Sequence, residues 1–282
     1  MPKQSTRKTA LVTGANSGMG LATTVELLKK DYHVVMLCRN EHRGEEALQK
    51  AKQESRRDHV DLMLCDLGSL ESIRQFADRF NRRFLKLDAL INNAGVVTTK
   101  RTTTTDGFEG MLGINHLGHF LLTNLLLNTI KRSKDGRIVT VSSGAHKVGK
   151  IHFEDPHLKK RFNVIRGYSQ SKLANILFTV QLDERLEGTN VKANSVHPGA
   201  VSTSLGVSRE SGFGKTIHAM LRPFFLTPAE GADTAVYLAT APDLTISGEY
   251  FYKRKVEPHS KRAQDQELAE KLWHWSEKEV GI

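Results

Sequence analysis

The chain has 282 residues, 39% of them hydrophobic and 26% charged, with a formal net charge of +10 and two cysteines. That length and composition suit one large α/β domain or two small ones and exclude wholesale disorder, while Cys38 and Cys65 are too few for a disulfide framework and fit a reducing compartment. The basic excess is scattered among acids, as in residues 52–58 and 253–257, which argues against a nucleic-acid partner and for a surface that attracts an anionic cofactor.

Residues 1–8 are polar and carry no signal-peptide core, and no run of about twenty apolar residues occurs, so the expectation is a cytoplasmic protein with no membrane anchor. Thr9–Thr13 reads as a short apolar strand ending in a glycine turn, and residues 19–28 read as a helix. His33–Cys38 (HVVMLC) is the second predicted strand, followed by a polar helix over Glu41–Ser55. Residues 60–65 form the third strand, and a helix opening near Ser69 puts Leu70, Ile73, Phe76, Ala77 and Phe80 on one face. Strands over 88–92, 137–142 and 191–196 are separated by helices over 108–130 and 168–186.

Continuous apolar strands between amphipathic helices predict a parallel sheet covered on both faces. Right-handed crossovers wind it into an α/β, Rossmann-type, doubly wound sheet, read as a single domain because no linker or repeat interrupts the pattern. Residues 204–226, rich in apolar side chains but broken by Gly and Pro, have two readings: a lid over an apolar pocket, or a helix pair packed on the surface. Thr227-Pro228-Ala229-Glu230 has helix-start chemistry, with a capping Thr, Pro at the first position and a Glu to close a capping box. Trp273 and Trp275 among alternating charges predict an amphipathic helix that docks on its own domain.

Thr13-Gly14-Ala15-Asn16-Ser17-Gly18-Met19-Gly20 joins the first strand to the first helix. Glycines there permit a tight turn and close backbone approach to a pyrophosphate, and the helix N-terminus adds free N–H donors and partial positive charge. The second strand ends in Leu37-Cys38-Arg39-Asn40 instead of the acidic residue that binds a ribose hydroxyl. Arg39 can pair with a 2′-phosphate, so the position favours NADP(H) over NAD(H).

Taken in order, Thr13-Gly14-x-x-x-Gly18-x-Gly20, Asn92-Asn93-Ala94-Gly95, Asn115, Ser142-Ser143, Tyr168-x-x-x-Lys172 and Pro198-Gly199 resemble the short-chain dehydrogenases/reductases. Cys38-Arg39, the stretch beginning Gly144-Ala145-His146, and Tyr168 to Phe178 resemble the retinol dehydrogenase-like branch. The resemblance implies hydride transfer between NADP(H) and the carbonyl or alcohol carbon of a small, apolar aldehyde, ketone or alcohol. It assigns Tyr168 as general acid/base, Lys172 to the nicotinamide ribose, Ser143 to the substrate oxygen with Ser142 as the alternative, and Asn115 to a water on Lys172. It also places Asn93, Ala94 and Gly95 against the adenine ribose and Asp66 and Leu67 beside the adenine ring. Pro198, Gly199, Val201 and Thr203 match the turn at the nicotinamide carboxamide, Asn92 braces the sheet, and a homo-oligomer follows by analogy with relatives.

Tyr168 and Lys172 share one helix face, and an adjacent ammonium is expected to lower a phenol that otherwise titrates near pH ~10. A membrane-bound relative would carry an apolar N-terminal anchor, which residues 1–8 do not resemble. His116 and His119, three apart on a helix, and the group His146, His152 and His157 lack the spacing of a metal site. The competing expectation from a different class is a non-catalytic NADP(H)-binding regulatory protein, against which the complete Asn-Ser-Tyr-Lys set argues.

Overall fold

A computed structural model describes residues 7–199 and 227–282, so Val201, Thr203 and the segment 204–226 lie outside the described residues. In chain order the elements are β1 Thr9–Thr13, α1 Gly18–Lys29, β2 His33–Cys38, α2 Glu41–Ser55, β3 Val60–Leu64, α3 Leu70–Arg83 and β4 Ala89–Asn92. A helix follows in which α4 Gly110–Leu112 and α5 Gly118–Lys131 flank a π-helical turn, Gly113–Leu117. Then come β5 Gly136–Val141, a 3₁₀ turn Gly144–Val148, α6 Val164–Arg185, β6 Val191–His197, α7 Pro228–Thr240, β7 Tyr250–Tyr252, β8 Lys255–Val256 and α8 Gln266–Val280.

One eight-stranded sheet runs β3-β2-β1-β4-β5-β6-β7-β8, parallel throughout except for the β7–β8 pair. This is the α/β Rossmann-type fold, and the order turns back at β1, the place where such sheets open a crevice beyond their carboxyl ends. Adjacent strand residues serve opposite faces. Ala10 and Val12 pack with α1, α2 and α7 through Val25, Leu28, Ala47, Ala235 and Leu238. Leu11, Val35 and Leu90 pack on the other face with Phe76 and Phe80 of α3, Phe120 of α5, Phe178 of α6 and Trp273 of α8.

The C-terminal helix docks on its own domain. Trp273 is 4% exposed, stacks on Phe178 at 5.9 Å and meets Phe120 edge-on at 4.8 Å. Cys38 and Cys65 are buried free thiols, pushed up to about 12 and about 11 by desolvation. The capping box at Thr227 forms, with the Glu230 N–H donating to Thr227 Oγ1 at 3.2 Å and the Thr227 N–H to Glu230 Oε2 at 2.7 Å. Among the described residues no helix is long and apolar enough to cross a membrane.

The structure departs from the sequence reading in three places. Helix α6 starts at Val164 instead of Tyr168, because Asn163 accepts from the Arg166 N–H at 2.8 Å and caps it; Gly167 is a close-packing position inside the helix. Helix 108–130 is interrupted by the π turn around Asn115. The β7–β8 hairpin has no counterpart in the sequence pattern, since its turn residues Lys253 and Arg254 hold positive φ (49° and 61°) without the Asn or Gly that usually marks such a turn. Helix α7 supplies the restraint: Asp233 accepts from Arg254 Nε at 2.7 Å, and Thr234 Oγ1 accepts from the Arg254 N–H at 3.2 Å.

Candidate active site

Parallel order brings the ends of β3, β2, β1 and β4 to one edge, so Asp66, Arg39, Gly14 and Asn93 follow one another along it. Gly14 holds φ +63°, and a Cβ on Gly20 would collide with the Gly14 carbonyl and approach Asn93 Nδ2 to 2.5 Å. Ser17 precedes α1 in extended conformation and its side chain makes no capping bond. Helices α2, α3, α6, α7 and α8 are each capped by the side chain of Asn40, Ser69, Asn163, Thr227 or Asp265. The first N–H groups of α1 therefore keep their hydrogen-bonding capacity and partial positive charge for an anion. Asn16 is half-buried beside them, and Met19 packs into the core below.

Arg39 is exposed directly after β2 and has no side-chain hydrogen bond or ion pair among the described residues. Asp66 shapes the turn after β3: its Oδ1 accepts from the Gly68 N–H at 2.8 Å, its own N–H donates to Ser72 Oγ at 2.9 Å, and Leu67 is buried beside it. Asn92 braces the sheet, its Nδ2 donating to Thr123 Oγ1 at 3.0 Å. Asn93 and Ala94 both donate backbone N–H groups to Thr13 Oγ1 at 2.9 Å, and Asn93 Nδ2 donates to the Thr13 carbonyl at 2.7 Å. The turn after β4 is thereby tied to the glycine loop.

At the reacting end, Ser142 and Ser143 leave β5 with different duties. Ser142 is buried and donates to the Lys172 carbonyl at 2.7 Å, fastening α6 to the strand end. Ser143 Oγ accepts from the Ala145 N–H at 3.2 Å and lies near enough to the Tyr168 phenol to favour the phenolate. Lys172 is 4% exposed, lies 5.7 Å from the centre of the Tyr168 ring, and donates from Nζ to the Val141 carbonyl at 3.0 Å. Asn175 Nδ2 donates to the same carbonyl at 3.0 Å.

Burial brings the Lys172 ammonium down to about 8, which leaves it mainly charged at neutral pH by about tenfold. The phenol moves against the sequence expectation. Burial raises the Tyr168 pKa and outweighs the lowering that the Ser143 hydroxyl brings, while the Lys172 amine is turned to the Val141 carbonyl.

Asn115 sits in the π turn, fully buried, with Oδ1 accepting from the Val96 N–H at 2.8 Å and Nδ2 donating to the Val96 carbonyl (3.1 Å) and Ser171 Oγ (3.0 Å). A Cβ added at Gly95 would stand 3.5 Å from Asn115 Oδ1 and 3.7 Å from Lys172 Nζ, so the glycine keeps an opening flanked by both groups. That opening and the uncapped α1 terminus fit the sugar and phosphates of a dinucleotide. Pro198 and Gly199 follow β6, Gly199 with φ +83° and its N–H donating to His197 Nδ1 at 3.2 Å.

Sequence reasoning missed the supports beneath these groups. His146 is fully buried, donates from Nδ1 to the Ser143 carbonyl at 2.8 Å, and accepts from the Ser260 N–H at 3.4 Å. His116 donates from Nε2 to Ser276 Oγ at 2.9 Å, since that hydroxyl's own proton goes to the Leu272 carbonyl. Desolvation pushes His116 down to about 3 and His119 down to about 4, so both are neutral imidazoles. Polar rings three apart on a helix otherwise filled by Leu117, Phe120, Leu121 and Leu122 were the available signal. No group of three or more His, Cys, Asp or Glu among the described residues could hold a metal. A surface hollow of about 350 Å³ lined by Tyr237, Ala241 and Leu244 lies at the amino end of β5, where Arg137 bonds the Ala241 and Leu244 carbonyls, remote from this chemistry.

The short chain dehydrogenase family profile matches residues 8–212. Mouse retinol dehydrogenase 14 is 48% identical, the match covering 98% of this chain and 86% of the relative. Human polyprenol dehydrogenase is 38% identical with 98% and 86% covered. An uncharacterized protein from Mycobacterium paratuberculosis superposes with a TM-score of 0.79 at 34% identity, covering 100% of this chain and 96% of its own. A single-substitution variant of actinorhodin polyketide ketoreductase, solved with NADPH, gives 0.70 at 25% identity, with 89% and 96% covered. The chain belongs to the short-chain dehydrogenase/reductase family, in its retinol dehydrogenase-like branch, and is an oxidoreductase of alcohol or carbonyl groups.

Proposed function

We propose that this protein is an NADP(H)-dependent oxidoreductase of apolar aldehydes, ketones or alcohols, with Tyr168 as the acid/base. The observation that carries the reading is the meeting of Ser143, Tyr168 and Lys172 at the carboxyl end of β5, with Lys172 Nζ 5.7 Å from the centre of the Tyr168 ring and the Ser143 hydroxyl near enough to the phenol to favour its ionised form. The glycine loop and α1 terminus would hold the pyrophosphate, Arg39 the 2′-phosphate, Lys172 the nicotinamide ribose, and Pro198-Gly199 the carboxamide side. When bound, the nicotinamide supplies the hydride acceptor or donor.

The protein's own part is proton handling and orientation. Ser143 holds the substrate oxygen and, from its place beside Tyr168, opposes the rise that burial imposes on the phenol. Tyr168 gives a proton to the oxygen in reduction and takes it back in oxidation. Lys172 is mainly charged at neutral pH and anchored on the Val141 carbonyl, and the opening at Gly95 lets solvent restore the proton between Lys172 and Asn115. The names of relatives that act on retinol and polyprenol support an apolar substrate.

Tyr168→Phe is expected to abolish turnover of a long-chain aldehyde while fluorescence titration still detects NADPH binding. Full activity in that variant overturns the acid/base assignment. Wild-type preference for a small polar ketone over the aldehyde overturns the substrate class.

A further inference from the structure

His119 has no part in the reading above, yet its ring joins the backbone of Asn115, four residues back, to Thr13, 106 residues away. It is 1% exposed on α5. Its Nδ1 lies 3.0 Å from the Asn115 carbonyl and its Nε2 lies 2.9 Å from Thr13 Oγ1. A carbonyl can only accept, so Nδ1 carries the proton and Nε2 is bare.

Thr13 then has a single arrangement that uses all its contacts. Its oxygen accepts the N–H groups of Asn93 and Ala94, both at 2.9 Å, which fills its lone pairs. Its proton goes to His119 Nε2 at 2.9 Å, with the Ile91 carbonyl at 3.3 Å the longer alternative. The run Asn93/Ala94 N–H to Thr13 O–H to His119 to the Asn115 carbonyl is directional from end to end. It starts in the turn that borders the dinucleotide and ends on the π turn that carries Asn115.

The side chain of Asn115 is held by Val96 and Ser171, so the remaining freedom of this residue is the position of its backbone. A π turn is a sparsely populated backbone state kept by its surroundings, and a buried donor on its carbonyl is one such restraint. We propose that His119 is a positioning residue that sets Asn115, and with it the opening beside Lys172, by reference to the cofactor-bordering turn through Thr13. The inference rests on the enzyme reading above. No proton moves along the run, which stays neutral because the ring is desolvated.

The test uses the full chain with NADPH and a long-chain aldehyde. His119→Leu removes both bonds; His119→Asn keeps an amide donor near the Asn115 carbonyl. His119→Leu is expected to lower kcat by about tenfold to a hundredfold, with NADPH affinity by fluorescence and KM for the aldehyde within about threefold of wild type. His119→Asn is expected to recover most of the lost kcat at a Tm no higher than that of His119→Leu. A kcat loss that tracks Tm across both variants, without recovery by Asn, means a merely structural role and overturns the proposal, as does unchanged kcat in His119→Leu. Nitrogen-15 spectra of the wild-type ring supply a readout independent of turnover: Nδ1 protonated and Nε2 bare supports the run, and the reverse tautomer overturns it. Failure of the wild-type enzyme to turn over any carbonyl overturns the enzyme reading, while the ring spectra still decide whether the run exists.

Discussion

The two ends of the candidate site are built from different materials. Along β1 to β3 the groups offered are backbone ones, the N–H donors of α1 and turns shaped by Gly14 and Gly20, with Arg39 free at the rim. Around β5 and α6 the groups are side chains, and each is held: Ser143 by Ala145, Lys172 by Val141, Asn115 by Val96 and Ser171. A backbone cradle tolerates exchange of side chains as long as nothing protrudes into it. A side-chain constellation tolerates almost none, because its positions are set by partners that must also be right.

The sharpest break of this contrast comes at the strand end where two serines differ only in direction. Ser143→Ala is expected to lower kcat by about a hundredfold to a thousandfold, the scale of removing one donor to a developing oxyanion. Ser142→Ala is expected to leave kcat near wild type and to lower stability by about 1 kcal/mol through the lost bond to the Lys172 carbonyl, measured by urea unfolding. Equal kcat losses in both would show that the assignment to Ser143 is wrong.

Gly20→Ala tests the cradle in the opposite sense, by adding an atom. Its Cβ would meet the Gly14 carbonyl and Asn93 Nδ2, so a loss of about 1–3 kcal/mol of stability and weakened dinucleotide binding are expected. A normal NADPH titration in this variant would refute the close approach. The smallest effect is expected at the rim: Arg39→Asp should weaken NADPH binding by about tenfold and spare NADH, because a charge-assisted contact is replaced by a like charge. An unchanged cofactor preference would remove Arg39 from the phosphate site.

The same contrast explains what was readable in the sequence. The β1–α1 glycines and the pair Tyr168 and Lys172 stand out because local geometry alone demands them: a turn, a close approach, one face of a helix. Strands β1 to β6 were legible to within a residue because continuous apolar runs leave little choice. What was hidden depends on partners far along the chain. His119 needs Thr13, 106 residues away, and His116 needs Ser276, 160 residues away, so neither pairing leaves a mark in a local pattern. The pKa of Tyr168 was hidden for a related reason, since burial is a tertiary quantity and here it outweighs what helix spacing suggests. The β7–β8 turn was hidden because Asp233 and Thr234 of α7 supply the restraint that Asn or Gly usually provides.

The β7–β8 hairpin has a consequence for how copies of this protein can meet. Its last strand is two exposed residues, Lys255 and Val256, running against the direction of every other strand and preceded by Lys253 and Arg254. An incoming strand would find almost no ladder to extend and Lys253 and Lys255 to meet. That rim of the molecule offers little to edge-to-edge growth, and fibrillar stacking from this side is disfavoured from the outset.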